Sequence, residues 1–383
     1  MKYLLPKLVP CLFLLAGLSL HALPAAPPKR SPPPPRPLWV SAYYAVWVQQ
    51  AGKLTPETID YSAFSHLIHF AVVPADDGTV DTEKGGITPA ESRAVITPAH
   101  KAGKKVLLSV GGWLSATHFR AAYSKAHRTA FITRLVQIAQ TRGYDGLDID
   151  MEPLEAADTS SYEAFIRQLR GQMTAVNPKL LLSAATAAQP ELFVRLASQF
   201  DQINLMTYDL AGPWPGFKTW HNSALYGDGT VDMNPGQPFP SASGMVQHFA
   251  AAGVPRRKLG IGTAFYGCVW TGADAPGQPI NGVTMRTGVP YAEIFDTYFQ
   301  SGRVRWDNAA QAPYLSIDGP QKQFVTYDNE ELCAKKVAYA RSEGLGGVML
   351  WELGNGYCPT RPPGQREPLL SAIKHAWLSP ATP

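Results

Sequence analysis

Three acids stand two residues apart in the run Tyr144-Asp145-Gly146-Leu147-Asp148-Ile149-Asp150-Met151-Glu152-Pro153. Side chains alternate faces along a strand, so Asp148, Asp150 and Glu152 share one face and Leu147, Ile149 and Met151 share the other. Crowding and partial burial both raise a carboxyl pKa. Glu152, the outermost of the three, is thereby suited to hold a proton near neutral pH and pass it to a leaving oxygen. Asp150 and Asp148 beneath it could share a proton and cycle its charge. A helix cap or a solvated acidic loop would not alternate so strictly with large apolar residues. A hard-cation site also uses clustered carboxylates, but the glycine and carbonyl-supplying turns of a calcium loop are missing from this run. Tryptophans supply a second clue: Trp113, Trp214, Trp220, Trp270, Trp306 and Trp351 fall at expected strand ends or in long connections. Tryptophan is often plain core. Several around an acidic mouth instead suggest a flat platform for sugar rings, so hydrolysis of a carbohydrate is the leading chemistry.

The elements that must position these groups recur along the chain. Strands are expected near 40–47, 65–73, 104–110, 145–151, 180–187, 201–208, 258–266 and 346–352, several of them continuously apolar. Helical spacing appears over 117–141, through Phe131, Leu135 and Ile138. It recurs over 160–176, where Tyr162, Phe165, Ile166, Leu169 and Met173 form one stripe. Asp158-Thr159-Ser160 offers caps to the second helix, and Gly143 suits the end of the first. Eight strands alternating with helices predict an α/β fold, a (β/α)8 TIM barrel, with the apolar face of the acidic strand turned to the helices. An open doubly wound sheet is the alternative, but no G-x-G-x-x-G or phosphate loop follows the first strand. Two connections are long. Residues 209–240 form an extended loop, and about 268–345 a small α+β insertion between strands 7 and 8. The insertion carries a strand at 323–327 and a helix at 329–342. Both excursions leave from strand C-terminal ends, where barrels build their sites.

Composition narrows the partner. The 383 residues are 45% hydrophobic and 17% charged, with a formal net charge of +4. Five basic residues and no acidic one lie in residues 1–38, leaving 29 basic against 30 acidic in the rest. A nearly neutral body argues against nucleic acid and for a neutral ligand. Residues 1–26 read as a secretory signal: Lys2 and Lys7, an apolar run from Leu8 to Leu20, then small residues at Ala22, Ala25 and Ala26. The run is too short for a stable membrane anchor. Residues 27–38 read as a proline-rich linker and 39–383 as the barrel with its insertion, which predicts a secreted or periplasmic protein. Past the leader, Cys268, Cys333 and Cys358 permit one disulfide or none, and neither their spacing nor the histidines' suggests a metal site.

These segments together resemble glycoside hydrolase family 18, the chitinase family. Asp145 to Glu152 is similar to its D-x-x-D-x-D-x-E motif, Ser109-Val110-Gly111-Gly112 to its S-x-G-G, and Met206-Thr207-Tyr208-Asp209 to its M-x-Y-D. Trp351 follows Gly347-Val348-Met349-Leu350 as the family's eighth-strand tryptophan does. His221-Asn222-Ser223-Ala224-Leu225-Tyr226 and Ala264-Phe265-Tyr266-Gly267 resemble two further elements, all in the family's order between about Trp39 and Trp377. The resemblance implies a chitinase-type hydrolase of β-1,4-linked N-acetylglucosamine, working as a monomer without cofactor or metal. Glu152 is implied as acid then base, Asp150 as holder of the acetamide nitrogen with Asp148 beneath it, and Tyr208 as donor to the acetamide oxygen. That is the substrate-assisted retaining route. Tyr43, Gly111, Gly112, Trp113, Asp145, Met206, Asp209, Tyr266 and Trp351 are implied as substrate-binding residues. Met151 and Pro153 stand where the family usually has aromatic residues, and Ala211 and Cys268 where it is often polar or basic. His69-Phe70-Ala71 is offset by about one position from the family's second-strand aromatic, so Phe70 receives no role. An endo-β-N-acetylglucosaminidase, a peptidoglycan hydrolase and a non-catalytic chitinase-like lectin are the other readings.

Overall fold

The structure, a computed structural model, describes residues 37–81, 86–227, 239–299 and 303–379. The expected leader and all but the last two residues of the proline-rich linker lie outside the described residues. In chain order the strands are β1 (Trp39–Ala45), β2 (His66–Pro74), the short β3 (Val80–Asp81), β4 (Lys105–Gly112), β5 (Gly146–Met151), β6 (Leu181–Thr186), β7 (Gln202–Leu205) and β8 (Leu259–Ala264). Then follow β9 (Tyr266–Thr271), β10 (Thr284–Pro290), β11 (Arg303–Asp307), β12 (Ala312–Ile317), β13 (Gln323–Tyr327) and β14 (Gly347–Trp351). The helices are α1 (Val46–Ala51), α2 (Pro89–Lys101), α3 (Ala116–Ala122), α4 (Arg128–Arg142), α5 (Thr159–Val176), α6 (Pro190–Leu196), α7 (Ala242–Ala252), the single turn α8 (Tyr291–Glu293), α9 (Glu330–Ser342) and α10 (Pro368–Leu378).

Eight strands pair in parallel in the order β1-β14-β8-β7-β6-β5-β4-β2, and a β1–β2 pairing closes the ring. This is the expected (β/α)8 barrel. Its chemistry follows from strand parity. Leu147, Ile149 and Met151 of β5 join the layer between barrel and helices, with Phe131, Leu135, Phe165 and Leu169. The inner face has its own apolar cluster around Ile68, Leu107 and Met349. Below that cluster the interior turns polar, where Ser41 Oγ donates to Gln202 Oε1 at 2.7 Å. Helix α5 buries Tyr162, Phe165, Ile166, Leu169 and Met173, the stripe its spacing predicts. At the chain's far end, Trp377 Nε1 of α10 donates to Leu38 O at 2.8 Å, tying the last helix to the residue that precedes β1. Among the described residues no helix is long and apolar enough to cross a membrane.

A second, antiparallel sheet of order β10-β9-β13-β12-β11 forms the insertion. It begins at Tyr266, earlier than expected, because β8 ends at Ala264 and only Phe265 separates the two strands. Helix α9 packs against β8 and β14 and so covers the barrel. The single helix expected over 117–141 is two, α3 and α4. Between them the chain turns on Ser124, whose carbonyl accepts from both His127 N and Arg128 N. Arg128 Nε meanwhile donates to Tyr123 O at 2.9 Å. The three cysteines are buried and free.

Residue Gly111 marks a close approach of β4 to β5. Its φ is 113°, and a Cβ there would lie 2.1 Å from Asp150 O and 2.7 Å from the Phe119 ring. Gly111→Ala is therefore expected to cost at least about 2 kcal/mol in chemical denaturation. Gly171, inside α5 with open space around it, should gain about 0.5–1 kcal/mol on change to Ala. Equal effects of the two substitutions would contradict this account of the β4–β5 contact.

Candidate active site

The acidic face of β5 points into the barrel and climbs towards its C-terminal mouth. Asp148 is deepest and fully buried. Tyr43 Oη and Ser109 Oγ each donate to its Oδ2 at 3.0 Å, and Ser183 Oγ donates to Oδ1 at 2.6 Å. Three hydroxyls from β1, β4 and β6 thus surround it, an environment of proton donors and not of cation-coordinating oxygens. Burial raises its pKa and these hydrogen bonds oppose the rise. Asp150, one step up, is 3% exposed, and its Oδ1 has no hydrogen-bond partner among the described residues. Burial, then the Glu152 and Asp148 charges, push its pKa well above the usual range. Glu152 sits at the mouth, where burial and the nearby Asp209 charge push it up to about 7. Asp209 is itself raised by burial, and Tyr266 Oη holds it with a hydrogen bond of 2.7 Å to Oδ2.

A cavity of about 420 Å³ opens over these groups. Asp150, Glu152, Tyr208, Asp209, Met206 and Trp351 line it, with Tyr43, Gly111, Gly112 and Trp113. Tyr208 comes from the connection just after β7, and among the described residues its hydroxyl has only Met349 Sδ, at 3.7 Å, as a hydrogen-bond partner. The Trp351 ring closes the floor, its centroid 4.5 Å from Phe70, 5.5 Å from Tyr43 and 6.2 Å from Trp47. Behind it, Glu352 is buried and accepts from Gly354 N and Asn355 N at 2.9 Å, and from the Ala45 backbone at the end of β1. A second cavity of about 660 Å³ shares Trp113, Asp209 and Trp351 with the first and extends past Tyr266 and Trp214 to Thr287 and Gly288 of the insertion. Among the described residues no lysine or arginine lines either cavity.

Comparison with known proteins places the chain. The family model for glycosyl hydrolases family 18 matches residues 40–356. The chain belongs to this family. "Chitinase 1" of Aphanocladium album is 31% identical over 344 residues, 82% of this chain and 80% of that protein. The Group IV chitinase of Ostrinia furnacalis, solved in complex with allosamidin, superposes with a TM-score of 0.76 at 27% identity, covering 88% of this chain and 97% of that one. Human YKL-39, a pseudo-chitinase with retained chitooligosaccharide binding, shares the fold at a TM-score of 0.78 and 24% identity, covering 89% of this chain and 100% of that one.

In this family 18 barrel the structure gathers all but one of the expected site residues at the mouth, with Asp148 directly beneath. Asp145 is the exception. It precedes β5, at the opposite end of the barrel from Glu152, where its carboxylate accepts from Lys105 Nζ and His100 Nε2 at 2.8 Å and from Val106 N at 2.9 Å. Burial opposes ionisation there, but those hydrogen bonds hold its pKa below the usual range. It braces β4 against β5 and is no part of the cleft. Sequence reasoning missed Trp47 and Phe70, both of which line the cavity, along with Val46, Ala71, Val73 and Ala185. Trp47 stands in α1, two residues past the end of β1, where strand parity no longer applies.

A raised carboxyl pKa has a stability consequence with a definite sign. Below pH 4.5 Glu152 is protonated in the folded and unfolded chain alike, and costs nothing. Between pH 4.5 and 7 the unfolded chain loses the proton first, so native stability drains away as pH rises. Above 7 the loss is complete, on the order of 3 kcal/mol at most. Glu152→Gln should therefore unfold at higher denaturant than the wild type at pH 8 and at the same concentration at pH 4. A variant less stable at pH 8 would show that Glu152 is not ionised at a cost.

Proposed function

We propose that this chain is a hydrolase of β-1,4-linked N-acetylglucosamine polymers, chitin or its oligomers, with Glu152 as general acid and base and the substrate's own acetamide as nucleophile. The single observation that carries the reading is the Asp148–Asp150–Glu152 ladder: a carboxyl held up to about 7 at the cavity mouth, above a buried Asp150 oxygen without a partner among the described residues. Glu152 gives its proton to the glycosidic oxygen as the bond from that oxygen to the anomeric carbon breaks. The acetamide oxygen of the same sugar forms the new bond at that carbon. The acetamide N–H, made more acidic as charge builds on the oxazolinium ring, donates to Asp150. Tyr208 turns its weakly engaged hydroxyl to the acetamide oxygen. Water then attacks the anomeric carbon from the vacated side, gives its proton to the Glu152 carboxylate and opens the ring, so the configuration is retained after two inversions.

The cleft's composition supports a neutral sugar polymer. Among the described residues, no lysine or arginine side chain lines either cavity. Trp47, Trp113 and Trp214 are 50%, 75% and 46% exposed around the mouth, where flat apolar faces are free to stack on sugar rings. The two cavities share a wall and together have room for several sugar units. We propose also that the chain is exported, on the basic start, apolar run and small residues of its first 26 positions.

Glu152→Gln is expected to lower kcat on a chitin oligomer by roughly 10²–10⁴-fold, the usual worth of a general acid, with oligomer affinity nearly unchanged by calorimetry. Full activity in that variant would remove Glu152 from the mechanism. A thiazoline analogue of the cyclised acetamide should inhibit competitively, and indifference to it would remove the acetamide as nucleophile. Products from chitin oligomers, chitosan, peptidoglycan and a high-mannose glycopeptide, run side by side, assign the substrate class.

A further inference from the structure

Behind the site lies a buried charge that the proposed chemistry does not use. The side chain of Lys336, on α9, is 0% exposed. Its Nζ donates to Asp328 Oδ2 at 2.6 Å and to Ser223 Oγ. From these two partners the hydrogen bonds run to two different strand ends. Ser223 Oγ donates to Thr207 O at 2.8 Å, and Thr207 is the residue before Tyr208 and Asp209. Asp328 Oδ2 also accepts from Ala264 N at 3.2 Å, and Ala264 is two residues before Tyr266. Thr207 and Gly262 are locked together as well, Thr207 Oγ1 donating to Gly262 O at 2.9 Å and accepting from Gly262 N at 3.0 Å. The neighbouring Asn222 completes the strut. Its O accepts from Leu210 N at 3.1 Å, its Nδ2 donates to Tyr266 O at 3.4 Å, and its N donates to Thr326 Oγ1 at 3.0 Å.

A buried ion pair is a poor device for stability alone, because desolvation offsets most of the attraction and apolar replacements are often as stable. What this one does have is geometry. One ammonium group fixes the exits of β7 and β8, the two backbones that deliver Tyr208, Asp209 and Tyr266. We propose that Lys336, acting through Asp328 and Ser223, is a positioning residue for hydrolysis that holds Tyr208, Asp209 and Tyr266 in register with Glu152. The proposal rests on the function proposed above. Its physical content is that the Tyr266–Asp209 hydrogen bond, and with it the charge that faces Glu152, is set from behind by a group that touches no substrate.

Ser223→Ala is the mildest test, since it cuts the link to Thr207 O while Lys336 keeps Asp328 as its counter-ion. The double variant Asp328→Asn/Lys336→Met is the second, neutral and still able to accept from Ala264 N. Either variant, folded, should lower kcat on a chromogenic N-acetylglucosamine oligomer by roughly tenfold, the scale set by a small misplacement of reacting groups, while KM stays within about twofold. The alkaline limb of the pH profile should move to lower pH. Asp150, Asp209 and Tyr208 are the titratable groups facing Glu152, and an Asp209 that drifts or takes up a proton no longer raises it. Wild-type kcat and limb in a folded variant, or lost stability with unchanged kcat, would overturn the proposal and leave the cluster a brace only. Carboxyl 13C titration of Glu152 reads the same displacement without turnover, with an expected fall of about half a pH unit or more. A wild-type protein inactive on every N-acetylglucosamine substrate would end the functional reading, and this titration would still decide the positioning claim.

Discussion

Carboxyl groups stacked on the inner face of one strand are the costliest feature of this molecule, and much of its architecture is arranged around them. A barrel interior is a poor solvent for charge. Asp148 is accommodated because β1, β4 and β6 each contribute a hydroxyl at its height. Strands β4 and β6 flank β5, but β1 is not its neighbour and reaches it only across the ring, so the arrangement exists only when the barrel is closed and in register. Asp150 receives no such help and, among the described residues, is left with an unpaired oxygen. The gradient from a satisfied carboxyl at the bottom to an unsatisfied one and then a proton-holding one at the mouth runs along six ångströms or so of strand rise per two residues.

How far this was legible in the sequence depends on how local each constraint is. The period-two alternation from Leu147 to Glu152 is local, and it fixes which face the acids occupy once a helix layer covers the other. The alternation of strands and helices, likewise local, carries the barrel. Asp145 shows the limit of motif reasoning. It opens the family motif, yet it lies on the opposite parity from Asp148 and three residues below it, and both facts put it away from the mouth, beside Lys105 and His100. Phe70 shows another limit. Its place against Trp351, 4.5 Å between centroids, follows from how β2 and β14 each sit against β1, which no spacing within one segment encodes. The break between α3 and α4 has no glycine or proline to announce it. Arg128 and the Ser124 carbonyl make it through contacts seen only in the folded chain.

The insertion is more than a wall beside the cleft. Its first residue is Tyr266, and the Tyr266 hydroxyl is what holds Asp209. Asp209 in turn is the charge that, after burial, does most to lift Glu152. The proton-holding capacity of the acid at the mouth is therefore tied to where the five-stranded sheet leaves β8, with one residue, Phe265, between barrel and insertion. A longer joint would let the sheet, and Tyr266 with it, move relative to the barrel. With a single residue it cannot, because Phe265 N is itself bonded to Trp351 O at 2.7 Å and Phe265 O to Tyr291 N at 3.0 Å. The floor of the site, its acid and the wall of the groove are thus held by one short stretch of backbone. In such an arrangement the shape of the groove and the electrostatics of the acid cannot be altered independently, so a change that reshapes the wall near β8 also retunes Glu152 through Asp209.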